Sequence, residues 1–151
     1  MRKKVQLDYA YNNPELLISC LDLLCGDFIG SGIARDVYVY AMNSNYVVKI
    51  DNSDDSGHNF NEYNVWTNVV NQPKYAKWFA PILWSSSDHR IIVQKKTKPI
   101  TQLPKELPSF FTDLKLDNFG KIGSQFVCHD YAFTSDLLIS KGFNSRMKKV
   151  K

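Results

Sequence analysis

Between Phe28 and Ile50 the chain carries three strand-like runs joined by turns, and their closeness constrains the fold more than any other feature. Phe28-Ile-Gly-Ser-Gly32 and Asp36-Val-Tyr-Val-Tyr40 read as strands about a glycine turn. Asn43-Ser-Asn45 is a second turn, and Tyr46-Val-Val-Lys-Ile50 is a third strand. Connections this short allow antiparallel pairing and exclude a parallel crossover, which needs a dozen or more residues. Pro81-Ile-Leu-Trp84 and Arg90-Ile-Ile-Val-Gln94 add a hairpin around Ser85 to His89. A polar loop from Asp51 to His58 separates the third strand from a helix over Asn59 to Val70, with Phe60, Tyr63, Trp66 and Val70 at helical spacing. Ahead of the strands, Asn13-Pro14-Glu15 opens a helix by capping, a proline at the first position and an acid at the positive dipole end. Leu16, Leu17, Leu21 and Leu24 give that helix an apolar face, and Gly26 follows as its stop signal. The first two thirds therefore predict an antiparallel sheet with one inserted helix. After Phe110 the pattern is short strands and loops, with a final helix near 134–141.

The 151 residues and 44% hydrophobic content suffice for one domain with a packed core. No apolar run is long enough to span a membrane, and Met1 to Asp8 lacks a signal peptide's apolar core. Three cysteines without dense spacing predict reduced thiols and a cytoplasmic location, and no close Cys/His cluster suggests zinc. The formal charge of +4 divides unevenly. Arg2, Lys3, Lys4, Lys141, Arg146, Lys148, Lys149 and Lys151 are eight of the nineteen basic residues. All fifteen acids lie among residues 5–140 with the other eleven, so the body carries −4. A basic N-terminal segment (1–12), one domain (13–140) and a basic C-terminal tail (141–151) are expected. Nucleic acid is then at most a weak partner, held through the tails. A solvated tail is the favoured reading of 145–151.

Three groups of residues carry chemistry. Gly30-Ser31-Gly32 lies between two strands, where paired glycines either form a turn or let the backbone approach phosphate oxygens. Lys49 interrupts an apolar strand. It is either an edge lysine facing water or a buried cation, which needs an opposite charge. Glu62, on the following helix, is either an exposed carboxylate or that partner. Asp113-Leu-Lys-Leu-Asp-Asn118, followed by His129-Asp130-Tyr131, could gather a general base, an amide oxygen and a second carboxylate around a hydrated divalent cation. Each also has a plain reading as a polar turn.

Taken in order, these residues resemble the protein-kinase superfamily over residues 26–132. Gly30-Ser-Gly32-Ile-Ala-Arg-Asp-Val37 is similar to the glycine-rich loop Gly-x-Gly-x-x-Gly-x-Val, with Arg35 at the third glycine. Tyr46-Val-Val-Lys49 resembles Val-Ala-Ile-Lys, and Glu62 stands for the helix glutamate. Asp113-Leu-Lys-Leu-Asp-Asn118 has the spacing of the catalytic loop, and His129-Asp130-Tyr131 stands where Asp-Phe-Gly is expected. The layout resembles compact phage-encoded kinase-like proteins. The resemblance implies an α+β fold: a protein-kinase-like N-lobe, an antiparallel sheet plus one inserted helix, with a minimal catalytic-loop remnant of the C-lobe. It implies ATP as nucleotide partner under Gly30, Ser31, Gly32 and Val37, with Lys49 on its phosphates and Glu62 holding Lys49. It further implies Mg²⁺ on Asn118 and Asp130, Asp113 as base, and Lys115 on the transferring phosphoryl to a Ser/Thr-type hydroxyl.

Departures from the pattern open a second reading. Phe111-Thr112 replaces the His-Arg before the catalytic aspartate, and Tyr131-Ala132 replaces Phe-Gly, which argues against a mobile activation switch. Pro99, Pro104 and Pro108 crowd the short stretch between the hinge (Gln94–Lys98) and Asp113, so the family's long helix cannot fit there. No Ala-Pro-Glu segment follows. The alternative is a catalytically inactive kinase-like module that docks on a host or partner protein in the host cytoplasm, or one supported by a second copy of itself.

Overall fold

The computed structural model describes residues 14–51, 57–134 and 146–150. The predicted final helix, Asn13 and the N-terminal basic cluster lie outside the described residues. The chain is α+β and forms two compact units. One comprises the described parts of Met1–Asn59 with Ile82–Lys95, the other those of Phe60–Pro81 with Lys96–Lys151.

In the first unit, helix α1 (Pro14–Leu24) leads directly into β1 (Cys25–Ser31). Strands β2 (Arg35–Tyr40), β3 (Tyr46–Asp51), β4 (Ile82–Ser85) and β5 (Ile91–Lys95) complete a five-stranded antiparallel sheet of order β1-β2-β3-β5-β4. The Asn43 turn closes as expected, with Asn43 N–H donating to Tyr40 O and Tyr46 N–H to Asn43 O. The sheet has two chemically different faces because side chains alternate along a strand. Val48, Ile91 and Val93 form an apolar cluster on one face, with Leu21 and Leu24 of α1 packed against it. Lys49 falls on the other face. Gly26 is not a helix stop but the second residue of β1. A Cβ there would stand 3.2 Å from Val39 O, so the residue is small because β2 runs close beside it.

Helix α2 (His58–Val69) follows β3, starting in the first unit and continuing in the second. It lies where the sequence predicts a helix, but it buries a different stripe. Asn59, Glu62, Val65 and Val69 are inside, whereas Phe60 and Val70 are exposed. Counting apolar residues selects the aromatic stripe. The buried stripe is offset because two of its members are polar, and a polar residue carries no weight in a hydrophobic count.

The second unit also holds α3 (Pro73–Ala76), β6 (Glu106–Pro108), β7 (Phe119–Ile122), β8 (Gln125–Cys128) and β9 (Met147–Lys149). Residues 96–115 contain no helix, in keeping with their three prolines. The core is aromatic. Phe79 stacks on Phe110 at 5.6 Å and meets Phe111 at 5.4 Å and Tyr131 at 4.9 Å, while Phe119 bridges Phe111 and Phe126. Strand β9 corrects the expectation of a solvated tail at its residues. Met147–Lys149 pairs antiparallel with β6, Glu106 facing Lys149 and Leu107 facing Lys148. The ladder and the burial of Leu107 outweigh the solubility of the lysines.

Candidate active site

The first unit positions the glycine loop and Lys49 by strand register. Gly30 pairs with Val37, Val37 with Lys49, and Lys49 with Ile92. Directly opposed residues of an antiparallel ladder point to the same face, so Val37, Lys49 and Ile92 share one row beside the loop. A bulge at Ile29, between the pairs Phe28–Tyr38 and Gly30–Val37, re-aims the end of β1. The loop closes by Gly32 N–H donating to Arg35 O at 2.8 Å and Ser31 Oγ donating to Asp36 at 2.7 Å. A Cβ at Gly30 would meet nothing within 4 Å, and neither Gly30 nor Gly32 has a positive φ. Packing and backbone conformation within the chain therefore do not require glycine at position 30.

Lys49 lies on the central strand at 4% exposure and Glu62 on α2 at 0%. Both water-facing readings are thereby excluded. A charge this far from water is tolerated only with an opposite charge or strong hydrogen bonds.

Arg35, at the third-glycine position, is buried and works as an anchor. Its guanidinium donates to Asn59 Oδ1 at 3.1 Å. The Asn59 amide donates to Lys49 O at 3.0 Å and Arg90 O at 2.8 Å, and its backbone N–H to Asp51 at 3.2 Å. Asn59 thus ties the start of α2 to β2, β3 and the entry to β5. Sequence reading passed over Asn59, although a polar residue at the first turn of a helix after a polar loop is a recognisable signal.

The second unit gathers Asp113, Lys115, Asn118 and Asp130. Asp113 and Lys115 lie in the extended stretch leading into a 3₁₀ turn at Leu116–Asn118. Lys115 Nζ stands 3.7 Å from Asp113 Oδ2, with the lysine side chain 77% exposed. Asn118 is the organiser. Its Nδ2 donates to Asp113 O at 3.4 Å, and its carbonyl accepts the N–H groups of His129 at 2.8 Å and Asp130 at 3.2 Å. With Nδ2 turned to Asp113, the Oδ1 of Asn118 is the atom left for a cation. An amide oxygen and a carboxylate are the hard oxygens that Mg²⁺ accepts alongside substrate phosphates, so this donor set fits that ion. Among the described residues no cluster of three or more His, Cys, Asp or Glu side chains forms a complete metal cage.

Two other groups stand outside this arrangement. Ser85 Oγ lies 2.8 Å from His89 Nδ1 and 3.0 Å from Ser86 O, a local contact within the β4–β5 hairpin. Burial, then Asp22, pushes the Cys25 thiol above its usual range, keeping it protonated and weakly nucleophilic. No helix among the described residues is long and apolar enough to cross a membrane.

No protein-family model and no curated protein matches the chain. Among solved structures, the streptomycin–ATP–APH(2″)-IIa ternary complex is similar at 18% identity and a TM-score of 0.40, over 59% of this chain and 30% of that one. The ADP-bound aminoglycoside phosphotransferase APH(2″)-Ib is similar at 16% identity and a TM-score of 0.40, over 58% and 29%. The chain spans less than a third of these aminoglycoside phosphotransferases. A likeness this weak assigns neither family nor ligand, and the chemistry rests on the chain's own residues.

Proposed function

We propose that the protein binds Mg²⁺-ATP as a pared-down kinase-like phosphotransferase and transfers the γ-phosphoryl group to a Ser/Thr-type hydroxyl. The observation that carries this reading is the buried Lys49 on the central strand, in register with Val37 and Gly30 of a loop whose first glycine the fold itself does not need. In this reading the backbone at Gly30, Ser31 and Gly32 covers the phosphates, and Lys49, balanced by Glu62, binds the α- and β-phosphates. Asn118 Oδ1 and Asp130 would hold the cation, which would supply positive charge to offset that of the phosphates. Asp113 orients the acceptor hydroxyl and takes its proton as the hydroxyl oxygen bonds to the γ-phosphorus. The bond from that phosphorus to the β–γ bridging oxygen breaks, and ADP leaves. Lys115 is exposed and close to Asp113, a position from which its charge can follow the transferring group. Free thiols at Cys20, Cys25 and Cys128 are consistent with a reducing, cytoplasmic setting.

The test is ADP formation and self-phosphorylation from Mg²⁺-ATP. Asp113→Asn should lower turnover by about 10²-fold or more while leaving ATP binding intact. Asp130→Ala should abolish turnover. Phosphotransfer retained in Asp130→Ala would falsify the proposal.

A second reading, an inactive docking module, draws on exposed apolar residues at both edges of the sheet: Phe28 and Ile29 on β1, Leu83 and Trp84 on β4. It predicts no Mg²⁺-ATP binding by calorimetry together with a stoichiometric protein complex.

A further inference from the structure

The mechanism above leaves His129 unused, yet its ring is held at both nitrogens. Nε2 lies 2.7 Å from Asp117 O and Nδ1 lies 2.8 Å from Thr97 Oγ1. A carbonyl oxygen only accepts, so Nε2 carries the proton and donates to Asp117. Nδ1 is paired with the Thr97 hydroxyl. Each end of this relay touches the segments that carry the proposed cation ligands. Asp117 immediately precedes Asn118, and His129 immediately precedes Asp130. The backbone amides of His129 and Asp130 already donate to Asn118 O. The ring adds a second tie between the same two segments, from the side-chain direction.

Thr97 is itself fixed. Lys98 and Lys121 exchange two backbone hydrogen bonds, at 2.8 and 2.9 Å, which lays residues 97–98 along β7. Gly120 makes room for them. A Cβ at that position would collide with Thr97 Oγ1, stand 2.6 Å from Thr97 Cβ and 2.7 Å from Lys98 O. Gly120, Thr97, His129 and Asp117 thus form one continuous chain of contacts ending beside Asn118.

We infer that His129 is a positioning residue: with Thr97 seated over Gly120, it sets the spacing of the cation ligands Asn118 and Asp130. The inference rests on the reading that those two residues bind the metal. Partners that orient metal ligands typically change metal affinity by about 10–100-fold when removed. They do so without touching the ion.

The experiment is Mn²⁺ titration of the full chain with a non-hydrolysable ATP analogue, following free Mn²⁺ by electron paramagnetic resonance. His129→Asn keeps an acceptor near Thr97 but loses the reach to Asp117 O, and should weaken Mn²⁺ binding by about 10-fold. His129→Gln restores a donor at the Nε2 position and should recover affinity to within about 3-fold of wild type, a rescue that a purely packing role would not give. Thr97→Val, nearly isosteric, should weaken binding less than His129→Asn, and thermal melts verify that each variant is folded. Wild-type binding matched by His129→Asn and Thr97→Val overturns this inference alone. A wild-type protein that binds no Mn²⁺ overturns it together with the proposed metal site.

Discussion

Lys49 and Glu62 illustrate what a sequence can and cannot disclose about a single side chain. Lys49 stands out as a charge within an apolar run and Glu62 as a carboxylate on the following helix, and they are buried at 4% and 0% exposure. Their burial was not legible, because a charged residue on a strand or helix has the same letter on either face. Asp113, Asn118 and Asp130 were legible from spacing, and Asn118 gathers them through its side-chain amide and its carbonyl. Thr97 and Gly120 were not, because their importance comes from touching each other although they stand 23 positions apart in sequence. Gly120→Ala tests that contact. The methyl group has backbone on one side and Thr97 on the other, so it should cost about 1–3 kcal/mol of stability as an overpacked site. Urea denaturation measures it, and an unchanged midpoint would contradict the close approach described.

The strands were the most legible elements, because turns at Gly30–Gly32 and Asn43–Asn45 fix their pairing and alternation fixes their faces. Helix α2 was legible in extent but not in orientation, since its buried stripe includes Asn59 and Glu62. Strand β9 was not legible at all. Three residues with two lysines carry no strand signal, and their partner, Glu106–Pro108, is equally short. Yet β9 is tied to the stretch that leads to Asp113. Lys148 Nζ donates to Phe111 O at 2.6 Å, Ser109 N–H to Arg146 O at 2.8 Å, and Val150 N–H to Lys105 O at 2.9 Å. These bonds staple residues 105–111, two positions short of Asp113. Lys148→Met removes one charge-assisted hydrogen bond and should destabilise the protein by about 1.5–3 kcal/mol. It should also speed proteolysis within 105–115. Equal chemical stability and equal proteolysis would show that the strand does not restrain that stretch. Beside Asp130, Tyr131 is 1% exposed and its hydroxyl donates to Ala80 O at 2.9 Å. The residue after Asp130 is thus held by burial and by its hydroxyl.

Across the whole molecule the proposed chemistry is divided. The glycine loop and Lys49 belong to one compact unit, while Glu62, Asp113, Lys115, Asn118 and Asp130 belong to the other. The sequence predicts one domain over 13–140 and does not anticipate two compact units. The hairpin expected over Pro81 to Gln94 does complete the five-stranded sheet of the first unit. The proposed function assigns Lys49 to the phosphates and Asp130 to the cation, so it requires loss of affinity when either residue is changed. The most direct measurement of that claim is the melting temperature against Mg²⁺-ATP for wild type, Lys49→Met and Asp130→Ala. A ligand at 100 times its Kd stabilises the native state by about 2.7 kcal/mol, a rise of about 5–10 °C for a chain of this size. The account predicts that rise in the wild type and its loss in both variants, each altered in a different unit. No rise in the wild type, or the same rise in all three proteins, would contradict it.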